Sequence, residues 1–132
     1  MKKQFLILLG FGALMLTSCS KEETLKNRLN DSDWKATKAT MTTNGKETDF
    51  TSSNIVYHFS SDGTGKFTSN TTTYTYKWTT DGEHVTLSEM SNNINGKAEY
   101  EVKENKKKTQ KWEANQTSGS NTIKTIVELE KQ

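Results

Sequence analysis

From Trp34 onward, apolar side chains recur at every second position, and the alternation is broken only by turn signals. A period of two puts successive side chains on opposite faces of an extended strand, so this pattern builds sheet with one apolar and one polar face. Ile55, Tyr57 and Phe59 share a face opposite Val56 and His58, and Tyr74, Tyr76 and Trp78 oppose Thr73, Thr75 and Lys77. Tyr100 and Val102 face away from Glu99, Glu101 and Lys103, and Trp112 alternates with Lys111 and Glu113. Ile123, Val127 and Leu129 oppose Lys124, Glu128 and Glu130, and Trp34/Ala36, Phe67 and Val85/Leu87 complete the set.

The breaks between these runs are hairpin turns. Asn44-Gly45 suits a two-residue turn whose central residues both take positive φ. Ser61-Asp62-Gly63-Thr64-Gly65, Thr80-Asp81-Gly82-Glu83, Asn92–Gly96, Asn105-Lys106-Lys107 and Thr117–Asn121 are further turn clusters. Short strands joined by hairpins, with no helix between them, imply an all-β antiparallel up-and-down meander of about eight strands, or nine if 46–50 pairs across Asn44-Gly45. A single apolar face throughout means the sheet curls around one core, and closure into a barrel removes exposed edges.

The N-terminus carries a different signal. Lys2 and Lys3 precede the apolar run Phe5–Leu16, which is too short to span a bilayer needing about 20 residues. A basic flank, an apolar stretch and the small residues Thr17 and Ser18 read as a signal peptide. Leu16-Thr17-Ser18-Cys19 resembles the lipobox of bacterial lipoproteins, in which the cysteine is acylated and becomes the mature N-terminus. The expected organisation is a lipoprotein signal peptide over 1–18, a lipidated Cys19 with a tether over 19–33, and the barrel over 34–132. Within the tether, Leu25 and Leu29 stand four apart, the spacing of one helical face. As the chain's one cysteine, Cys19 is consumed by lipid in this reading, leaving no thiol for a disulfide or a metal. Ser20 after the cysteine resembles the outer-membrane choice of sorting rules. Lys21-Glu22-Glu23 is similar to tags that send lipoproteins to the cell surface, against the alternative of a periplasmic face.

The net charge of +2 is contributed by Lys2 and Lys3 of the leader, so the remainder is near neutral. A neutral domain has no field to concentrate nucleic acid, and no nucleic-acid partner is expected. The basic cluster Lys106-Lys107-Lys108, with Lys103 and Lys111, sits beside Glu101, Glu104 and Glu113 and reads as a solvated hairpin tip rather than a polyanion patch.

The strand pattern resembles the lipocalin-like lipoproteins of Bacteroidota-type bacteria. Those have a leucine and then a tryptophan opening the first strand, here Leu29 and Trp34. They continue with Phe-x-x-Asp-Gly-x-Gly, here Phe59–Gly65, and with Trp-x-x-x-Gly, here Trp78–Gly82. The resemblance covers about residues 29–130 and implies a small lipocalin-like barrel without an assigned activity.

Catalysis requires convergent groups, and few are visible. His58 faces outward in the alternation and His84 opens a strand, so neither metal nor cofactor is expected. Asp62–Gly65 lacks the run of oxygen ligands that calcium requires and reads as a turn. The candidate site is the aromatic set Trp34, Tyr57, Phe59, Phe67, Tyr74, Tyr76, Trp78, Tyr100 and Trp112. It is either a packed core or the lining of a pocket for a small hydrophobic ligand, since an eight-stranded barrel is just wide enough for one or the other. Two non-enzymatic functions follow: capture of such a ligand, or docking of another envelope protein through the outer face or loops. Phe50, in the polar stretch 43–54, is the residue that would favour docking or a lid.

Overall fold

The structure, a computed structural model, describes residues 20–91 and 97–132. Helix α1 (Lys21–Leu29) leads into β1 (Ser32–Thr43), β2 (Lys46–Asp49), one 3-10 turn (Thr51–Ser53), β3 (Val56–Phe59), β4 (Thr64–Ser69) and β5 (Thr72–Thr80). β6 (His84–Ser88), β7 (Ala98–Asn105), β8 (Thr109–Ser118) and β9 (Asn121–Lys131) follow. The sheet order is β2-β1-β3-β4-β5-β6-β7-β8-β9, all pairs are antiparallel, and β1 also pairs with β9. That last ladder closes eight strands into the barrel the alternation implies. β2 is the additional strand, paired only to the far half of β1 through the turn at Asn44 (φ 48) and Gly45 (φ 83).

β1 makes closure possible by serving three neighbours. Its first residues pair with β3, its last with β2, and nearly its whole opposite edge with β9. The register with β9 slips between Ala36 and Lys38, a bulge that inserts one extra residue. One inserted residue inverts the parity of everything after it. Trp34 and Ala36 are buried before the bulge and Ala39 after it, so Lys38 stays in solvent, where strict alternation would have turned it inward.

Within the expected tether, where the Leu25/Leu29 spacing implies one helical turn, Lys21–Leu29 form a longer helix docked on the barrel. Ser20 caps it by accepting the Glu23 N–H at 3.2 Å, Glu22 and Glu23 lie in the first turn, and Lys26 and Arg28 lie in the last. Those signs complement the helix dipole. A nine-residue helix is marginal alone, so tertiary contact must hold it. Leu25 and Leu29 supply that contact, both fully buried in the barrel core and each worth roughly 1.5–3 kcal/mol on burial. The chain's one arginine, Arg28, donates to the backbone carbonyl (2.6 Å) and side-chain oxygen (2.9 Å) of Asn105 at the β7–β8 turn. Buried Gln110 donates to that same Asn105 oxygen at 2.7 Å and accepts from the Trp112 indole at 3.3 Å, which ties the helix to the core.

Above the helix lies an aromatic floor. Phe59 is fully buried, with ring centroids of Trp78 at 5.1 Å, Trp112 at 5.7 Å, Tyr76 at 5.9 Å and Tyr57 at 6.2 Å. Its carbonyl accepts the Asp31 N–H at 2.6 Å, where Asp31 (φ 54) turns the chain out of the helix into β1.

The helix start rests against the β5–β6 turn at Gly82 (φ +93), where a Cβ would lie 2.4 Å from backbone atoms of Lys21 and Glu22. Gly45 has a similar φ with open space around it. Gly45→Ala should therefore cost only the left-handed strain, about 1 kcal/mol. Gly82→Ala must also displace the helix and should cost at least about 2 kcal/mol more in urea unfolding. Equal losses in the two variants would mean that the helix is not seated there.

Candidate functional site

The ends of the barrel differ. The helix and the β3–β4, β5–β6 and β7–β8 turns occupy one end, and the β1–β2, β4–β5 and β8–β9 turns form the other. The nine aromatic positions divide along this axis. Trp34, Tyr57, Phe59, Tyr76, Trp78 and Trp112 are buried, and they fill the half nearer the helix. Phe67, Tyr74 and Tyr100 are half-buried and reach toward the open end. Phe67 joins the two groups, with centroids 4.9 Å from Tyr74 and 5.5 Å from Tyr57. The arrangement is a filled base beside the helix with half-buried aromatic side chains, the cup of the proposal below, toward the other end. Cys19 lies outside the described residues.

Further residues lie on the cup side. Ile55, Met90 and Ala98 pack half-buried against the core, Ile123 lies on the inner face four residues before Val127, and half-buried Val102 lies instead at the helix end, its N–H donating to the Glu83 carbonyl at 2.7 Å. At the lip, Met41 is 37% exposed and Phe50 39% exposed, the two large apolar side chains most open to solvent among the described residues. Met41 shares the inner parity of Ala39 beyond the bulge, so a strictly periodic reading of β1 puts it on the wrong face. The rim is braced. Asn44 bonds Asn121 side chain to side chain at 2.8 Å and accepts the Thr122 N–H at 3.1 Å, joining the β1–β2 and β8–β9 turns. Asn70 N–H donates to the Ser53 carbonyl at 2.8 Å, joining the β4–β5 turn to the 3-10 turn.

The base of the cup is polar without being charged. Burial pushes the Tyr57 phenol well above its ordinary pKa, with Tyr100 and Tyr76 adding to the shift. Burial also raises Tyr100, partly offset by Tyr57, and raises Tyr76, whose hydroxyl donates to the His58 carbonyl at 2.8 Å. Neutral phenols at physiological pH suit a neutral, weakly polar group better than an anion.

The remaining titratable groups point elsewhere. His58 faces outward, its Nδ1 2.7 Å from Asp33, and His84 pairs with Asp81 at 3.1 Å. The N–H groups of Glu83 and His84 hold the Asp81 carboxyl below its ordinary range, and Asp81 in turn raises His84. Asp62 accepts both the N–H (3.0 Å) and the hydroxyl (2.6 Å) of Thr64, so its oxygen serves its own turn. Among the described residues, no three His, Cys, Asp or Glu side chains gather where they could hold a metal ion. A groove of about 630 Å³ crosses the outer wall between His58, Lys66, Lys77 and Glu89, with Lys77 and Glu89 ion-paired at 3.0 Å. Its rim is polar and solvated, unlike the cup.

No family model and no curated protein sequence matches the chain.

The phenols give a pH test. A group whose folded pKa is raised contributes stability that is fully present below its unfolded pKa, about 10 for tyrosine, and is lost as pH rises through the folded value. In spectrophotometric titration, Tyr57 and Tyr76 should stay un-ionised at pH 11 and titrate only as the barrel unfolds at higher pH, with Tyr100 titrating above the ordinary tyrosine range. Ionisation of all four tyrosines near pH 10 in the folded protein would show that the cup base is wet.

Proposed function

We propose that this chain is a cell-envelope lipoprotein of the lipocalin-like kind, held to its membrane through acylated Cys19. Its cup captures a small, neutral hydrophobic molecule. The observation that carries the reading is the contrast along the barrel axis. Fully buried aromatics fill the base, while inward-facing Phe67, Tyr74, Tyr100 and Ile55 stay half-exposed above it. Half-buried apolar surface in a concave mouth gains on covering, at about 25 cal/mol per Å². The shallow depth favours the ring or end of a molecule rather than a whole long chain. The membrane-anchor part rests on the lipobox resemblance at Leu16–Cys19 and the apolar leader before it, and fits an outer-membrane location on either the surface or the periplasmic face.

A second reading draws on the lip. Met41 and Phe50 are exposed beside the charged, singly paired strand β2, and such a lip can serve as an anchor for another envelope protein. The same two side chains would also suit a flap over a bound ligand.

A fluorescence titration separates the readings. The neutral probe N-phenyl-1-naphthylamine should brighten on binding and be displaced by a medium-chain alcohol more readily than by the carboxylate of equal length. Ile55→Glu puts a charge at the mouth and should weaken the probe at least tenfold, since an unpaired charge in an apolar site costs more than about 1.4 kcal/mol. Phe50→Ser should leave probe binding within about threefold if the lip serves docking, and weaken it further if Phe50 covers the ligand. No brightening with the unaltered protein would remove the ligand reading.

A further inference from the structure

The anchor and the cup have a fixed geometric relation that bears on where a ligand comes from. Cys19 is followed by Ser20, and Ser20 already caps the docked helix. The first helical residues are not loose: Lys21 pairs with Glu83 at 3.2 Å, and the Lys21–Glu22 backbone sits on Gly82. Leu25 and Leu29 hold the rest in the core. Ser20, the residue that follows the proposed acylated cysteine in sequence, is thus fixed at the closed end, and one residue spans at most about 3.6 Å. The mouth lies at the far end of the strands. Eight-stranded barrels tilt their strands by roughly 35–45°, and at about 3.3 Å per residue a strand the length of β9 puts the mouth roughly 25 Å away.

The closed end also carries the lysine tip that the function has not used. Lys106, Lys107 and Lys108 form the exposed β7–β8 turn, and the Lys131 N–H donates to the Lys108 carbonyl at 2.9 Å, bringing a fourth lysine beside them. Lys106 pairs with Glu104, whereas Lys107, Lys108 and Lys131 have no ion pair among the described residues. Glu22 and Glu83 are paired to lysines and Asp62 and Asp81 serve their own turns, while at the β7–β8 corner Glu104 pairs with Lys106 and Glu130 lies opposite Thr109. Lys107, Lys108 and Lys131 outnumber Glu130 there, so the corner carries a positive excess. An anionic headgroup layer attracts such a corner.

We propose that the acylated protein stands on its membrane by the helix-plugged end, with Lys107, Lys108 and Lys131 against anionic lipid headgroups and the cup opening away from the bilayer. The proposal rests on the acylation of Cys19 stated above and deepens it. Its consequence is that ligand enters from the aqueous side or from an opposing surface, not from the bilayer that holds the anchor.

The test uses the full acylated chain in vesicles of phosphatidylethanolamine with one quarter phosphatidylglycerol, with a fluorescent acceptor lipid in the surface. Because the anchor consumes Cys19, Lys106→Cys and Ser120→Cys each accept a single donor dye, one at the closed end and one at the mouth, with Lys107, Lys108 and Lys131 intact. Energy transfer should be several-fold stronger from position 106 than from 120. Replacing phosphatidylglycerol with phosphatidylcholine should lower transfer from 106 and leave 120 nearly unchanged. Equal or stronger transfer from 120 would overturn the orientation, and transfer from 106 that ignores lipid charge would overturn the headgroup contact. A chain that stays in the aqueous phase on detergent partition would overturn the acylation reading and this proposal with it, a result distinct from mis-orientation of a membrane-bound chain.

Discussion

The buried ring of Phe59 is where the barrel and its plug are locked together. Its neighbours come from β3, β5 and β8, so one side chain joins strands far apart in sequence across the interior. Its backbone receives Asp31 and so sets the angle at which the helix hands over to β1. Large aromatic rings with edge-to-face partners gain beyond their area alone. They also occupy volume. With Trp34, Trp112 and Trp78 around Phe59, the half of the barrel next to the helix is filled, and only the opposite half is left to hold anything.

That allocation gives the molecule its polarity. One end carries charge, a helix and the polar link from Arg28 through Asn105 and Gln110 to Trp112. The other presents Phe67, Tyr74, Ile55, Met41 and Phe50. In the proposed function the first end meets lipid headgroups and the second a small apolar molecule. The link at the closed end is made of groups that hydrogen-bond one another while buried or half-buried, which is the condition under which polar groups inside a core stabilise rather than cost.

Much of the fold was legible because a strand declares its face every second residue. Tyr74, Tyr76 and Trp78, or Tyr100 and Val102, could be assigned inward with no partner in view, and Asn44-Gly45 announced its own turn. Depth is another matter. Alternation tells which face a tyrosine occupies but not how far along the barrel axis it sits, so the division of nine aromatics into base and cup depended on register between distant strands. The helix was nearly invisible for a related reason. Leu25 and Leu29 are only two apolar residues in a polar stretch, and their burial depends on core residues contributed by strands far along the chain. The bulge in β1 has no local signature in Ala36-Thr37-Lys38, yet it decides that Met41 rather than Thr40 faces the mouth. The lysine tip was readable as a hairpin turn. That it shares an end with the helix follows only from the closed order of strands.

The central claim is a solid base beneath a cup that holds a neutral hydrophobic molecule. Native mass spectrometry of the acylated protein, released gently from the envelope in which it is made, tests it most directly. The account predicts one discrete added mass per chain beyond the acyl groups, lost on denaturation and identifiable as a neutral, largely apolar compound. A bare acylated chain that stays bare after incubation with an extract of envelope lipids would contradict it and leave the exposed lip at Met41 and Phe50 as the surface to explain.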